Sequence, residues 1–512
     1  MSEAPAPTPN NPHGLPALRE RYGPRYRWLL LLAVMVGTMA SIMSSTVVNV
    51  AIPDMSQHFT LGQERAQWVT SGFMAAMTVS MLTTPWLLAR YGYRATYSGC
   101  MWLLLVGGVA GGLANDYPLV LAARVAEGLA AGVVQPIPAI IILRAFDPSE
   151  QGRASGIFGM GVVLAPALGP SIGGVLVDWF GWRSIFFMVV PFCLVSLWLA
   201  RKLIPTTAPG GADANRAGAA LDWRGLLLAT AGTLCLLNGL VELQGGTPLV
   251  ATTLLVSAVA LLLVFIWLAR RMLQTHRHAQ GPEPLMNLSL FADRRFAMGS
   301  LVAFIYGVAL FGSTYLLPVY MQMGLQLSPS VVGTVLLPSG LVLAISIAAV
   351  GRLADRQPTH RLVSIGLVLL AASFALMVTI RLEHPARIIP LLVLWAIVGR
   401  IGLGFILPSL NIGAMRGLGP AHIPQGASVI NFLRMLGGAA GVSLCGIFLE
   451  WRLAAHGAPL DTSPTTPARI AAFDETFLML AGICALAVLA ALRLKPPTPP
   501  VPPPPERQTR PA

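Results

Sequence analysis

The chain has 512 residues, 55% of them hydrophobic and 11% charged, with a formal net charge of +13. Soluble proteins carry about 25% charged residues, so a chain this long and this poor in charge could not cover its own surface in water, and a membrane protein is expected. The excess of bases would suit nucleic acid only if it sat in a polar domain, and it does not.

Residues 1–27 are Pro-rich and polar, with Arg19, Arg21, Arg25 and Arg27 leading into the first apolar run. That run is too long for a cleaved signal and reads as an uncleaved start-transfer helix. A bilayer crossing needs about 20 mostly apolar residues, and fourteen stretches qualify: 28–52, 66–88, 95–114, 117–143, 155–177, 184–204, 224–243, 248–270, 296–322, 330–351, 361–381, 387–415, 426–449 and 474–493. Alternating ten-residue strands are absent, which excludes an outer-membrane barrel. The tail, from Pro496 to Pro505, should form a solvated polyproline II segment.

With the N-terminus inside, most of the bases fall in cytoplasmic segments, a few fall outside, and Arg124, Arg400 and Arg434 fall within spans. This asymmetry puts both termini in the cytoplasm of a multi-pass protein of the plasma or inner membrane. The positive charge then reports topology and contact with anionic lipid, not nucleic acid. Cys100, Cys193, Cys235, Cys445 and Cys484 all lie in apolar runs without CxxC spacing, so they carry no disulfide or metal message.

The spans repeat. Arg90 and Arg356 are 266 apart in similar loops; Arg124-x-x-x-Gly128 and Arg400-x-x-x-Gly404 are 276 apart; Gln151-Gly-Arg-Ala-Ser155 and Gln425-Gly-Ala-Ser428 are 274 apart; Pro53 and Pro318 are 265 apart. The expected fold is therefore all-α and polytopic, with two six-helix bundles in parallel pseudo-two-fold repeat plus two inserted helices. This divides the chain into an N-terminal segment (1–27), a first bundle (28–204), a linker with two extra spans (205–295), a second bundle (296–493) and a Pro-rich tail (494–512). Parallel repeats about the membrane normal are an architecture of secondary transporters, with the substrate site at mid-membrane between the halves.

At these residues the chain resembles the major facilitator superfamily, in its fourteen-helix drug:proton antiporter branch of multidrug efflux permeases. The resemblance covers roughly residues 28–493. It rests on Ser44-Ser-Thr-Val-Val-Asn-Val-Ala-Ile-Pro53, on the loop Gly351-Arg-Leu-Ala-Asp355-Arg356 with its first-half counterpart Arg90 and Gly92, on Arg124–Gly128, and on Ala165-Pro-Ala-Leu-Gly-Pro-Ser-Ile-Gly-Gly174 followed by Trp182-Arg-Ser-Ile-Phe186. The branch usually has Asp where this chain has Ser44, Asp where it has Ala89, and commonly Gln where it has Glu127. The resemblance implies proton-driven export of amphipathic or hydrophobic compounds by alternating access.

Glu127 is the only acid clearly inside an expected span, and an intramembrane carboxylate is a functional candidate by default. Its repeat mate is Leu403, so the fold does not require an acid there. Arg124, three residues earlier, shares its helical face. The pair reads as a proton-coupling site, or alternatively as a static ion pair between helices. Arg400 and Arg434 also lie deep, and three cations against one acid leave the interior net positive. That points to anionic or neutral amphipathic cargo, unless these arginines bond carbonyls at helix breaks.

Gly161, Ala165, Gly169 and Gly173 form an i, i+4 stripe with Pro166, Pro170 and Gly174 set within it, which suits either a gating hinge or static packing. Ser44, Ser45, Asn49, Asn238, Thr314, Tyr315, Gln322, Asn411 and Asn431 are candidate cavity-lining groups. Trp68, Phe73, Met77 and Tyr306 are candidate apolar contacts. There is no GxxxxGK[ST] or HExxH, and the stretch 41–45 lacks a paired His or Lys, so no enzyme, metal or cofactor is called for. The partners expected are a small-molecule substrate, protons and lipid. Crossing a second membrane would require a periplasmic adaptor and outer-membrane channel. The competing readings are a dedicated metabolite or organic-anion transporter and a non-transport scaffold or sensor.

Overall fold

The computed structural model describes residues 14–61, 63–206, 220–243, 247–275, 284–380, 385–457 and 466–494. The start of the N-terminal segment, part of the linker and the polyproline tail lie outside the described residues. So do the side chains of Pro166–Leu168, Pro170 and Ser171.

Backbone polar groups in lipid must be satisfied within the segment itself, which selects helices. The described residues hold sixteen α-helices and no strand. The first half comprises α1 (Leu15–Tyr22), α2 (Tyr26–His58), α3 (Gln63–Ser80), α4 (Thr84–Gly112), α5 (Tyr117–Val134), α6 (Ile137–Ala145), α7 (Gln151–Phe180) and α8 (Ser184–Leu203). Then come α9 (Trp223–Glu242) and α10 (Pro248–Thr275). The second half comprises α11 (Arg294–Val319), α12 (Pro329–Ala354), α13 (Thr359–Met377), α14 (Pro385–Met415), α15 (Ile423–Ala455) and α16 (Pro467–Leu492).

Twelve stretches of the described residues are long and apolar enough to cross a membrane, against the fourteen expected. One of the twelve, Trp68–Gly112, has 45 residues; as one rod it would measure roughly 67 Å, twice a bilayer. It is not one rod, because Gly92 leaves helical geometry at φ 78°, ψ 171°, a conformation that only glycine adopts without strain. α7, 30 residues long, is not among the twelve; five of its side chains lie outside the described residues. The expected span 117–143 is broken into α5 and α6, because Pro136 and Pro138 interrupt the ladder of backbone bonds.

The neighbour relations of the first half recur in the second. α2 packs on α7 as α11 packs on α15, α3 on α5 as α12 on α14, α4 on α5 as α13 on α14, and α4 on α8 as α13 on α16. Between the halves, α7 packs along α12, and α15 touches α3, α4 and α6. α9 and α10 pack on each other, with α9 reaching α3 and α15. α10 turns Leu249, Val256 and Leu263 outward, each at least 60% exposed, as lipid-facing residues should be.

Helices alternate between a lower face, where α2 begins, and an upper face, where it ends. The lower face is tied across the halves. Arg144 donates to the Pro420 carbonyl, and the Asp355 carboxylate at the end of α12 accepts from the Gly152 and Arg153 amides at the start of α7 (2.6 and 2.9 Å). Gly152 and Gly156 let α7 approach Gly351 of α12 so closely that a Cβ on Gly156 would lie 2.8 Å from the Gly351 Cα. Arg27 clamps the turn before α7 through Asp147 (2.8 Å) and Glu150 (2.7 Å).

Candidate functional site

α5 starts cleanly. Asp116 caps it by accepting from the Leu119 amide, and Pro118 occupies the first turn, where no backbone donor is needed. One and a half turns on, Arg124 and Glu127 point the same way. Both side chains are buried, at 1% and 0% exposure. Arg124 Nη1 donates to Glu127 Oε2 (2.5 Å) and to Ser44 Oγ (2.8 Å), and the Ser44 hydroxyl donates to Glu127 Oε2 (3.1 Å). Arg124 Nε donates to the Val69 carbonyl (3.3 Å), and its guanidinium lies over the Phe73 ring at 4.2 Å.

Four helices thus build one enclosed ionic cluster: α5 supplies both charges, α2 the hydroxyl, α3 the carbonyl and ring, and α4 a wall. That wall is glycine by necessity, because a Cβ at Gly107 would sit 2.7 Å from Glu127 Cγ. Two donor and acceptor positions, Arg124 Nη2 and Glu127 Oε1, are left unpartnered among the described residues. A cavity of about 10 Å³ adjoins the pair, walled by Ser44, Val47, Val48, Ile185 and Phe186. It has the size of a single water. Ionised, the pair is neutral overall; a proton on Glu127 would leave Arg124 as a net buried cation.

The second half is built differently. Arg400 on α14 and Arg434 on α15 are half-buried. Arg434 Nη2 donates to Asn431 Oδ1 (2.7 Å), and the Asn431 amide donates to the Ala427 carbonyl (2.9 Å). Arg400 makes no hydrogen bond, and neither arginine makes an ion pair or reaches a backbone carbonyl among the described residues. The carbonyl-capping alternative therefore finds no support. Tyr306, 2% exposed, lies within electrostatic reach of both guanidinium groups. Leu403, where the first half has Glu127, is 1% exposed.

The remaining candidates scatter. Asn49 is exposed and accepts from Thr70 (2.9 Å). Asn238 bonds its own helix at the Leu234 carbonyl (2.8 Å), on a helix flanking the bundles. Tyr315 and Asn411 are half-buried. Ser45 and Thr314 bond carbonyls of their own helices, and Gln322 is exposed. Of the apolar candidates, Phe73 and Met77 are buried in one cluster with Met81 and Met435, whereas Trp68 is 42% exposed. Trp68 borders a cavity of about 760 Å³, an apolar recess on the flank of α3–α5 beneath α9 that is lined by neither Arg124 nor Glu127.

The small-residue stripe of α7 faces α2 of its own half. A Cβ would meet Met35 Sδ at Gly161 (2.7 Å), Thr46 Oγ1 at Gly169 (2.9 Å) and Val47 Cγ1 at Gly173 (2.7 Å), while Gly174 meets nothing. Ala165 is fully buried; α7 runs through Pro166 and Pro170, whose side chains lie outside the described residues. Contact across the halves is made instead by Gly152 and Gly156 at one end of α7, which the sequence reading passed over although they too are four apart. In the loop motifs, Gly92 makes the break described above, Arg90 and Arg356 are exposed, and Gly351 and Asp355 form the lower-face contact. Burial pushes the Asp355 carboxyl above its ordinary range, opposed by the two amides it accepts from.

One expectation needs correction. Glu127 is not the only acid within a helical span: α16 begins at Pro467, capped by Thr466, so Asp474 and Glu475 lie two turns inside it, and Asp474 is 6% exposed. The expected span 474–493 put them at its first two positions, whereas the helix starts seven residues earlier. Glu475 pairs with Arg452 and His456 across the upper ends of α15 and α16.

The sequence profile described as Major Facilitator Superfamily matches residues 34–442. The chain is similar to a multidrug resistance protein B homolog of Mycobacterium tuberculosis, 28% identical over 458 residues (88% of this chain, 82% of that one). It is also similar to a riboflavin transporter of Clostridioides difficile, 23% identical over 465 residues (91% and 97%). Among solved structures, a human organic anion transporter shares the fold with a TM-score of 0.61 at 15% identity, covering 91% of this chain and 99% of that one.

Proposed function

We propose that this chain, which belongs to the Major Facilitator Superfamily, is a proton-coupled exporter of amphipathic compounds working by alternating access. It is a transporter with multidrug resistance relatives, and those relatives support efflux as its direction. Fourteen crossings are proposed, six per half plus α9 and α10, supported by the break at Gly92 and the 30-residue length of α7. The lower face is assigned to the cytoplasm, supported by the bases gathered there, among them Arg27, Arg90, Arg144, Arg153, Arg201 and Arg356. On that assignment the conformation is closed toward the cytoplasm by the Asp355 and Gly156 contacts.

The observation that carries the reading is the Arg124–Glu127–Ser44 cluster. A proton on Glu127 removes the charge that holds Arg124, and the freed cation must find water or another partner, which favours a different packing of α5 against α2. Each charge moved inward supplies about 2.3 kcal/mol per 100 mV of membrane potential. In proteoliposomes with an imposed pH gradient, Glu127→Gln should lose gradient-driven flux while retaining folded protein. Wild-type flux with unchanged pH dependence in that variant would remove Glu127 from coupling. A single dedicated metabolite is the second reading, favoured by the riboflavin transporter among the relatives.

A further inference from the structure

We propose that Arg400 and Arg434 form an anion site in the second half that binds the carboxylate head of a lipophilic organic acid. The proposal rests on the transporter reading only in calling that acid cargo; the binding itself needs no proton coupling.

The repeat provides the first support. Arg124 and Arg400 stand at matching places, each four residues before a glycine that seats its helix on a neighbour: Gly128 on Phe73 of α3, and Gly404 on Ser346 of α12. In the first half the guanidinium meets a carboxylate one turn along its own helix. In the second half that place holds buried Leu403, and no described carboxylate reaches either arginine. The scaffold is the same and the counter-charge is missing. An intramembrane cation without one is costly and is found where it meets an ionic ligand or a water-filled path.

Depth and surroundings point the same way. Counted from their helix starts at 1.5 Å per residue, Arg400, Arg434 and Tyr306 lie roughly 16–22 Å in, near the middle of a 30 Å bilayer. Close approach of α11 and α15, where Gly307 abuts the Arg434 carbonyl, holds the Tyr306 and Arg434 segments together. Asn431 engages one Arg434 nitrogen and leaves the others free to donate. Guanidinium forks match a carboxylate in geometry, and a buried phenol can add a third donor. Beside Arg434 in sequence, Met435 joins Met77, Met81 and Phe73 from the first half, with Phe311 and Met74 at the edge. Methionine adapts its shape to irregular apolar bodies. The neighbourhood therefore offers a cationic grip in one half and a pliable apolar patch shared by both.

The test is binding of decanoate to the full-length detergent-purified protein by titration calorimetry, with decyltrimethylammonium as the cationic counterpart. Decanoate should bind, and Arg400→Gln and Arg434→Gln should each weaken it by at least about tenfold while leaving the cation's binding unchanged. Arg400→Lys should retain part of the affinity. Leu403→Glu, which gives Arg400 the internal partner that Arg124 has, should abolish decanoate binding in a protein with an undiminished unfolding midpoint. Undetectable decanoate binding to wild type, or binding indifferent to Arg400→Gln and Leu403→Glu, overturns the site. The two readings separate cleanly: Glu127→Gln should lose gradient-driven flux yet bind decanoate normally if both hold. Intact coupling without decanoate binding would sink the anion site alone.

Discussion

Arg124 and Arg400 occupy corresponding places on α5 and α14, yet one is sealed into an ionic cluster and the other stands without a counter-charge. The lower ends of the halves differ in the same manner. Asp355 of the second half caps α7 of the first. The corresponding first-half loop carries Ala89, and α15, which would receive its cap, begins at His422 with no side-chain cap from that residue. The two halves repeat the same helix-neighbour relations but differ in charge at matching places, Glu127 against Leu403 and Ala89 against Asp355. At the buried position helix packing accommodates the exchange because Glu and Leu are close in size and the neighbouring glycine, Gly128 or Gly404, is present in both halves.

Three measurements would break or sharpen this contrast. The largest effect is expected from Glu127→Leu, which makes the first half as bare as the second inside a site closed to solvent. It should cost about 3–5 kcal/mol, the usual penalty for orphaning one partner of a buried pair, read as a fall in the unfolding midpoint. Adding Arg124→Leu should recover most of that loss. A double variant no more stable than the single one would mean that the cluster is not an ion pair in the energetic sense.

Next comes the contact across the halves. Gly156→Leu places a branched side chain where α12 backbone already lies within 2.8 Å of a hypothetical Cβ. It should disfavour the closed lower face by about 1–3 kcal/mol. Spin labels on the lower ends of α7 and α12 should report a longer distance. An unchanged distance would show that the helices give way elsewhere. The smallest effect belongs to the cap. Asp355→Asn removes a charge from the start of α7 at about 1 kcal/mol, a shift of about fivefold toward the open lower face. Ala89→Asp should add the missing cap to α15 and shift the same distances the other way. If the two variants move the distances in one direction, the loops do not play opposite parts.

Much of this was legible in the sequence because a bilayer leaves few options. Apolar runs of sufficient length become helices, one acid in such a run stands out, and equal offsets expose the repeat. What stayed hidden depends on distance along the chain. Ser44 is 83 residues from Glu127, and nothing local says that its hydroxyl bridges the pair. Gly156 meets Gly351 only after both halves have folded. The small-residue stripe of α7 was readable as a close contact, but not as a contact with α2 instead of the other half. Asp474 was missed because hydropathy marks where a segment turns apolar, whereas Thr466 and Pro467 mark where the helix starts.

The complete enclosure of Glu127 has a kinetic consequence. A carboxyl group on a surface exchanges protons as fast as buffer can reach it. This one can do so only while the helices that enclose it, α2, α3, α4 and α5, part, a motion on the microsecond-to-second scale of collective helix movements. On the proposed proton-coupled reading, its charge state would lag behind the solution and retain, over that interval, the acidity of whichever compartment it last faced. A group with such a memory can carry a proton from one side to the other without ever opening a continuous wire between them.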